Sequence, residues 1–184
     1  MKTAYIIYGW GGNANESWFP WLKSELEKRN FKVNIPSMPN PDHPTIEAWI
    51  GELNNTVDLK DEVYMVGHSI GCQAILRFLE NIKGRIKHTV LVAPWLNIKN
   101  LEEGEDEVAK PWVERKIDLS MVREHCESFS IIHSTTDPYS YKKDIDLLKK
   151  ELNARFYNVG RKGHISGEYG VFELPQVLSA MDVK

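Results

Sequence analysis

The feature that most constrains this chain is its alternation of short, apolar, β-branched runs with longer segments whose apolar residues recur at the helical period. The strand candidates are Thr3–Tyr8, Lys32–Met38, Val63–Gly67, Thr89–Ala93, Phe129–His133 and Arg155–Val159. Each is a nearly continuous apolar run, as strands buried on both faces of a parallel sheet require. Between them the helical period is clearest in Ile46, Trp49, Ile50, Leu53 and Val57, opened by Thr45 as N-cap after Pro44. Further helices are predicted from about Ser17 to Arg29, Ile70 to Ile82, Tyr141 to Leu152 and Val171 to Met181. Strand–helix alternation of this kind predicts a doubly wound α/β fold, a three-layer α/β/α sandwich.

With 184 residues and no repeat, linker or low-complexity tract, the chain reads as one domain spanning 1–184. The one interruption is Pro94 to Asp118, with an acidic run (Glu102, Glu103, Glu105, Asp106, Glu107) and the aromatics Trp95 and Trp112. It reads either as a solvated surface excursion or as a small lid over a site. A net charge of −3 supplies no electrostatic reason to expect nucleic acid or an anionic membrane as partner. Two cysteines, Cys72 and Cys126, make no disulfide framework. The apolar run Ala4–Tyr8 is too short for a secretory signal, and no stretch approaches the roughly 20 apolar residues of a membrane span. A cytoplasmic location is the expectation.

Chemistry enters at Gly67-His68-Ser69-Ile70-Gly71, a G-x-S-x-G motif between a predicted strand and a predicted helix. In that context the glycines let strand and helix pass closely while the serine sits on a strained, exposed turn. The Ile70 N–H, at the helix start, then points where negative charge develops in acyl transfer. A serine needs a base, and in an open α/β sheet its partners project from the carboxyl ends of later strands. Ser134-Thr135-Thr136-Asp137-Pro138 follows the fifth strand, and Gly160-Arg161-Lys162-Gly163-His164 follows the sixth. Ser69, Asp137 and His164 thus fall in the chain order expected of a nucleophile-elbow hydrolase. A second oxyanion donor is expected from Tyr8-Gly9-Trp10-Gly11-Gly12-Asn13, with the Trp10 N–H first and Gly11 as fallback. One such donor contributes about 2.7–4 kcal/mol to the transition state.

The other histidines are weaker candidates: His133 as packing, His68 as a shaper of the elbow, and His43, His88 and His125 without metal-site spacing. No metal or cofactor is implied. The same glycine loop also fits a dinucleotide fingerprint, Gly9-x-Gly11-x-x-Ala14. Against it stand a second strand ending Ile35-Pro36-Ser37-Met38 without an acid, and a helix starting only near Ser17. Trp18, Trp95 and Trp112, with Gly11, are candidate substrate-pocket residues.

Ser17-Trp18-Phe19-Pro20-Trp21-Leu22-Lys23, Met38-Pro39-Asn40-Pro41, Gly67-His68-Ser69-Ile70-Gly71-Cys72 and the Asp137 and His164 loops together resemble the YdeN-like small serine hydrolases, the group that includes retinoblastoma-binding protein nine. The resemblance implies an α/β-hydrolase reduced to six mostly parallel strands in the order 2-1-3-4-5-6, and a triad of Ser69, Asp137 and His164. Ser17 stands where that group is expected to carry a histidine. An L-x-C-x-E motif is absent around Cys126, where the chain reads Glu124-His125-Cys126-Glu127-Ser128, so no retinoblastoma-type partner is carried over. The expected function is ester hydrolysis of a small-molecule substrate through an acyl-enzyme. A binding module on the same fold, or acyl transfer or amide cleavage by the same residues, are the alternatives left open.

Overall fold

The computed structural model describes residues 1–182. Six strands, β1 (Lys2–Ile7), β2 (Lys32–Asn34), β3 (Glu62–His68), β4 (His88–Val92), β5 (Phe129–His133) and β6 (Arg155–Asn158), form one sheet ordered β2-β1-β3-β4-β5-β6. Every pairing is parallel. The order steps outward in both directions from β1 and β3, so the crevice beyond their carboxyl ends is where such sheets place ligands. The central strands are buried along their length, β4 completely, which is why they read as unbroken apolar runs.

Helices cover both faces. α1 (Phe19–Glu27) packs against α7 (Pro175–Ala180). On the other side α2 (Ile46–Thr56) and α5 (Leu119–Glu124) pack against α3 (Ile70–Asn81), and α6 (Lys142–Glu151) packs against α5. α2 begins as its sequence predicts, with the Thr45 side chain accepting the Ala48 N–H. Among the described residues no helix is long and apolar enough to cross a membrane.

Three elements differ from expectation by two residues or more, each for a backbone reason. β2 stops at Asn34 because Pro36 has no N–H to continue the ladder, and the Met38 N–H instead donates to the Tyr8 hydroxyl. α1 starts at Phe19 because Ser17 occupies the left-handed region at φ 52°. α7 starts at Pro175 because proline keeps the preceding Leu174 out of the helical region, at φ −139° and ψ 73°, and suits the first helical turn. The excursion after β4 is partly helical. It contains α4 (Glu105–Glu114), pinned to the core by buried Trp112, which stacks edge-on with Trp49 at 6.0 Å and donates to the Pro44 carbonyl at 3.0 Å. The buried Arg77 guanidinium donates to the Trp112 and Arg115 carbonyls at the end of α4, where a cation favours the helix dipole.

Two buried histidines make the fold acid-sensitive. Burial pushes His68 down to about 3 and His88 down to about 4. The unfolded chain binds these protons near pH 6.5 and the folded chain refuses them. The stabilisation is therefore fully present above about pH 6.5 and lost as pH falls toward 4. Between about pH 7 and pH 5 each ring should cost about 2 kcal/mol of stability. Urea unfolding at the two pH values checks this, and an unchanged midpoint would contradict it.

Candidate active site

Ser69 sits between β3 and α3 at φ 54° and ψ −122°, a conformation that costs a non-glycine residue energy and projects its side chain out of the strand–helix turn. The turn is held by the Ser69 N–H donating to the Val92 carbonyl at 3.0 Å. Its two glycines answer close approaches. A Cβ on Gly71 would lie 2.4 Å from the Ile7 carbonyl oxygen, and one on Gly67 would lie 2.8 Å from the Cys72 nitrogen. Both approaches are to backbone, so neither can be relieved by a side-chain shift.

His164 follows β6 and Asp137 follows β5, and the loops carrying them are stitched together. The Lys162 N–H donates to Ser134 Oγ at 2.9 Å, and the Gly163 N–H to Thr136 Oγ1 at 3.1 Å. These bonds bring the Asp137 carboxylate to His164 Nδ1, at 3.0 Å for Oδ1 and 3.1 Å for Oδ2. A carboxylate accepts, so Nδ1 carries the proton and Nε2 is left with its lone pair. Burial alone would raise the Asp137 carboxyl. The hydrogen bond and electrostatic attraction of the His164 ring, with the Tyr139 N–H, outweigh it and hold the group below the usual aspartate value.

The backbone beside His164 is held from three further directions. His68 Nε2 donates to the His164 carbonyl at 2.8 Å, Trp18 Nε1 to the Ile165 carbonyl at 2.9 Å, and the Gly167 N–H to Ser17 Oγ at 2.9 Å. Ile165 is a β-branched residue at φ 55°, a strained state that persists because these contacts over-determine it. Gly163, at φ 51°, passes so close to the Tyr169 ring that a Cβ would meet its Cδ1 at 1.9 Å. With its proton-binding tendency suppressed chiefly by burial, and by the ring of His164 beside it, His68 serves as a neutral donor.

Ser69 and His164 line one open cleft of about 900 Å³. Ser69 Oγ accepts the Trp95 indole N–H at 3.3 Å rather than bonding His164. Contacts of this kind often tighten only when substrate is bound. The glycine loop forms another wall, strapped to the 41–42 segment by the Gly11 N–H donating to the Pro41 carbonyl and Trp10 Nε1 to the Asp42 carbonyl, both at 2.8 Å. That bond removes Gly11 as fallback oxyanion donor, although Gly11 itself lines the cleft. The Trp10 and Ile70 N–H groups have no protein acceptor among the described residues. α1 begins only at Phe19, so the glycines of the dinucleotide-like pattern do not open a helix.

Three of the expected pocket residues are not on the cleft wall. Trp18, Trp95 and Trp112 are at most 1% exposed. Their large apolar surfaces are worth more in the core, and each indole N–H finds an acceptor there: the Ile165 carbonyl, Ser69 Oγ and the Pro44 carbonyl. Ile98, Leu101 and Val108 of the 94–118 segment do line the cleft, together with Tyr139 and Phe172. Sequence reasoning missed Ser17, His68, Ser134 and Thr136 as supports of the His164 and Asp137 loops. Their only prior signal was proximity to the motifs. Asp144 was missed as well: its buried carboxylate accepts the Leu96 and Asn97 N–H groups and anchors the turn after β4. Among the described residues no three His, Cys, Asp or Glu side chains are arranged to hold a metal ion.

The model of a family described as "Serine hydrolase" matches residues 4–183. The chain belongs to that serine hydrolase family. Bacillus subtilis (strain 168) YdeN is 32% identical over 186 residues, covering 98% of this chain and 94% of YdeN. The rat (Rattus norvegicus) serine hydrolase RBBP9 is 25% identical over 184 residues, covering 97% and 94%. The crystal structure of the B. subtilis ydeN gene product superposes with a TM-score of 0.85 at 28% identity, covering 100% of both chains. Est1E from Butyrivibrio proteoclasticus, solved with ferulic acid bound, shares the fold with a TM-score of 0.70 at 12% identity, covering 99% of this chain and 90% of its own. The six-stranded parallel sheet is therefore that of an α/β hydrolase, and the serine hydrolase family places the chain among hydrolases.

Proposed function

We propose that the protein cleaves carboxylic esters by acyl transfer through Ser69, with His164 as base and Asp137 as its orienting acid. The observation that carries this reading is the Asp137–His164 Nδ1 contact, which leaves Nε2 unprotonated on the cleft that also holds the elbow serine. The Trp95 N–H occupies a lone pair of Ser69 Oγ, so the hydroxyl proton is free to go to His164 Nε2. Oγ then attacks the carbonyl carbon, and the Trp10 and Ile70 N–H groups receive the developing oxyanion. His164 returns the proton to the departing alcohol, and water, activated by the same imidazole, releases the acid.

A fluorophosphonate probe reacts readily only with an activated serine. Peptide mass spectrometry of the treated protein is expected to find one adduct, on the peptide holding Ser69. An unlabelled folded protein, or an adduct on another serine, would defeat the reading and favour a module that works by binding alone.

A further inference from the structure

The chain as a whole is close to charge balance, with 26 Asp and Glu against 23 Lys and Arg. The cleft is not. Its charged lining is Glu16, Asp42, Glu102, Glu103, Glu105 and Glu168, with no lysine or arginine among the described lining residues. None of these carboxylates is in an ion pair among the described residues. Part of this has a local cause, since acids in the first turn of α4 complement its dipole. That cause does not reach Glu16, Asp42 or Glu168, which arrive from separate segments of the chain. The aromatic rings of Trp10, Tyr139 and Phe172 line the same space, and Phe172 is 62% exposed. Carboxylates together with aromatic side chains, and no lysine or arginine to compete, are the chemistry that holds an ammonium group.

We propose that the preferred substrate of the cleft is an ester carrying a positive charge, an amine or quaternary ammonium beside the scissile bond. This rests on the ester-hydrolase reading and adds the charge class of the substrate to it. The serine and the unpaired N–H groups set where the carbonyl goes, and the acidic wall sets which charge its flanking group carries. Glu16 is consistent with this assignment. Burial raises its carboxyl above the ordinary value and the nearby Glu168 adds a smaller push in the same direction, both of which a bound cation opposes. Esters bearing a carboxylate or sulfonate meet the opposite field and are excluded.

The test separates charge preference from turnover. Two matched ester sets are used, one charged on the alcohol side and one on the acyl side. The first is butyrylcholine, its uncharged isostere 3,3-dimethylbutyl butyrate and 3-sulfopropyl butyrate. The second is methyl 4-(trimethylammonio)butanoate, methyl 5,5-dimethylhexanoate and monomethyl glutarate. Binding of each to the full-length Ser69→Ala protein is measured by calorimetry, and cleavage by the unaltered protein is measured in parallel. In at least one set the cation is expected to bind about tenfold tighter than its isostere at low salt, with the ratio shrinking as salt is added and the anion weakest. Replacing Glu102, Glu103 and Glu105 together by Gln is expected to narrow the ratio. Equal binding of cation and isostere in both sets, or tighter binding of an anion, overturns the proposal. Cation-selective binding with no cleavage of any ester leaves the charge assignment standing and sinks the hydrolase reading. Cleavage without charge preference does the reverse.

Discussion

Ser69→Ala is expected to lower kcat on a neutral ester by on the order of 10⁶-fold, leaving only what the oxyanion donors and substrate binding supply. No other group in the proposed mechanism can form the acyl-enzyme. The fold should survive, because alanine and serine tolerate the φ of 54° at this turn equally poorly and the glycine approaches on either side are unchanged. Without the serine hydroxyl, the Trp95 indole N–H becomes a buried donor with no acceptor, at a cost of about 1–3 kcal/mol. For a chain of this size that is a fall in Tm of a few degrees to about 10 °C. Steady-state kinetics and thermal unfolding of the same preparation check both halves. Turnover within a hundredfold of the unaltered protein would remove Ser69 from the mechanism.

Asp137→Asn is expected to cost about 10⁴-fold in kcat with the backbone intact. The orientation of the new amide follows from the loop. Asp137 Oδ1 accepts the Tyr139 N–H at 3.0 Å and the Ser140 N–H at 3.4 Å, so the asparagine carbonyl oxygen stays on that side. Its NH₂ then takes the place of Oδ2, 3.1 Å from His164 Nδ1, where an amide hydrogen faces the Nδ1 proton while Oδ1, 3.0 Å away, is shared with two backbone N–H groups, so the Nδ1–H tautomer is disfavoured. The imidazole proton moves to Nε2, which can no longer accept one from Ser69. The loss is one of tautomer rather than of position, so the fluorophosphonate labelling rate should fall in parallel with kcat. A near-normal rate for this variant would mean that another acid orients His164.

The serine turn was legible because its motif, two glycines and a serine, lies within five residues, with a recognisable strand before it and a helix after it. The close approaches at Gly67 and Gly71 give those glycines their reason. Asp137 and His164 were legible by a different route, since each follows a recognisable apolar run and the fold dictates that such loops share one edge of the sheet. The tryptophans were not legible. A buried Trp18 or Trp112 and one on a pocket wall look the same in sequence, because both are large and apolar with one donor to satisfy. Only the position of the Ile165 and Pro44 carbonyls separates them. The dual role of the glycine loop was equally hidden, as Pro41, whose carbonyl takes the Gly11 N–H, is 30 residues away by number.

Taken alone, the order of residues determined the doubly wound class, the place of each buried strand, the strained serine turn and the loops that carry Asp137 and His164. These are carried by periodicity and by short motifs whose physics acts between near neighbours. The tertiary structure decided the rest: which N–H groups at the serine turn have no acceptor among the described residues, which histidine braces rather than titrates, and that six carboxylates from four segments line one cleft. Those outcomes depend on which donor meets which acceptor across the sheet's edge, and on how much water is left beside each charge. Both are set only when distant segments pack.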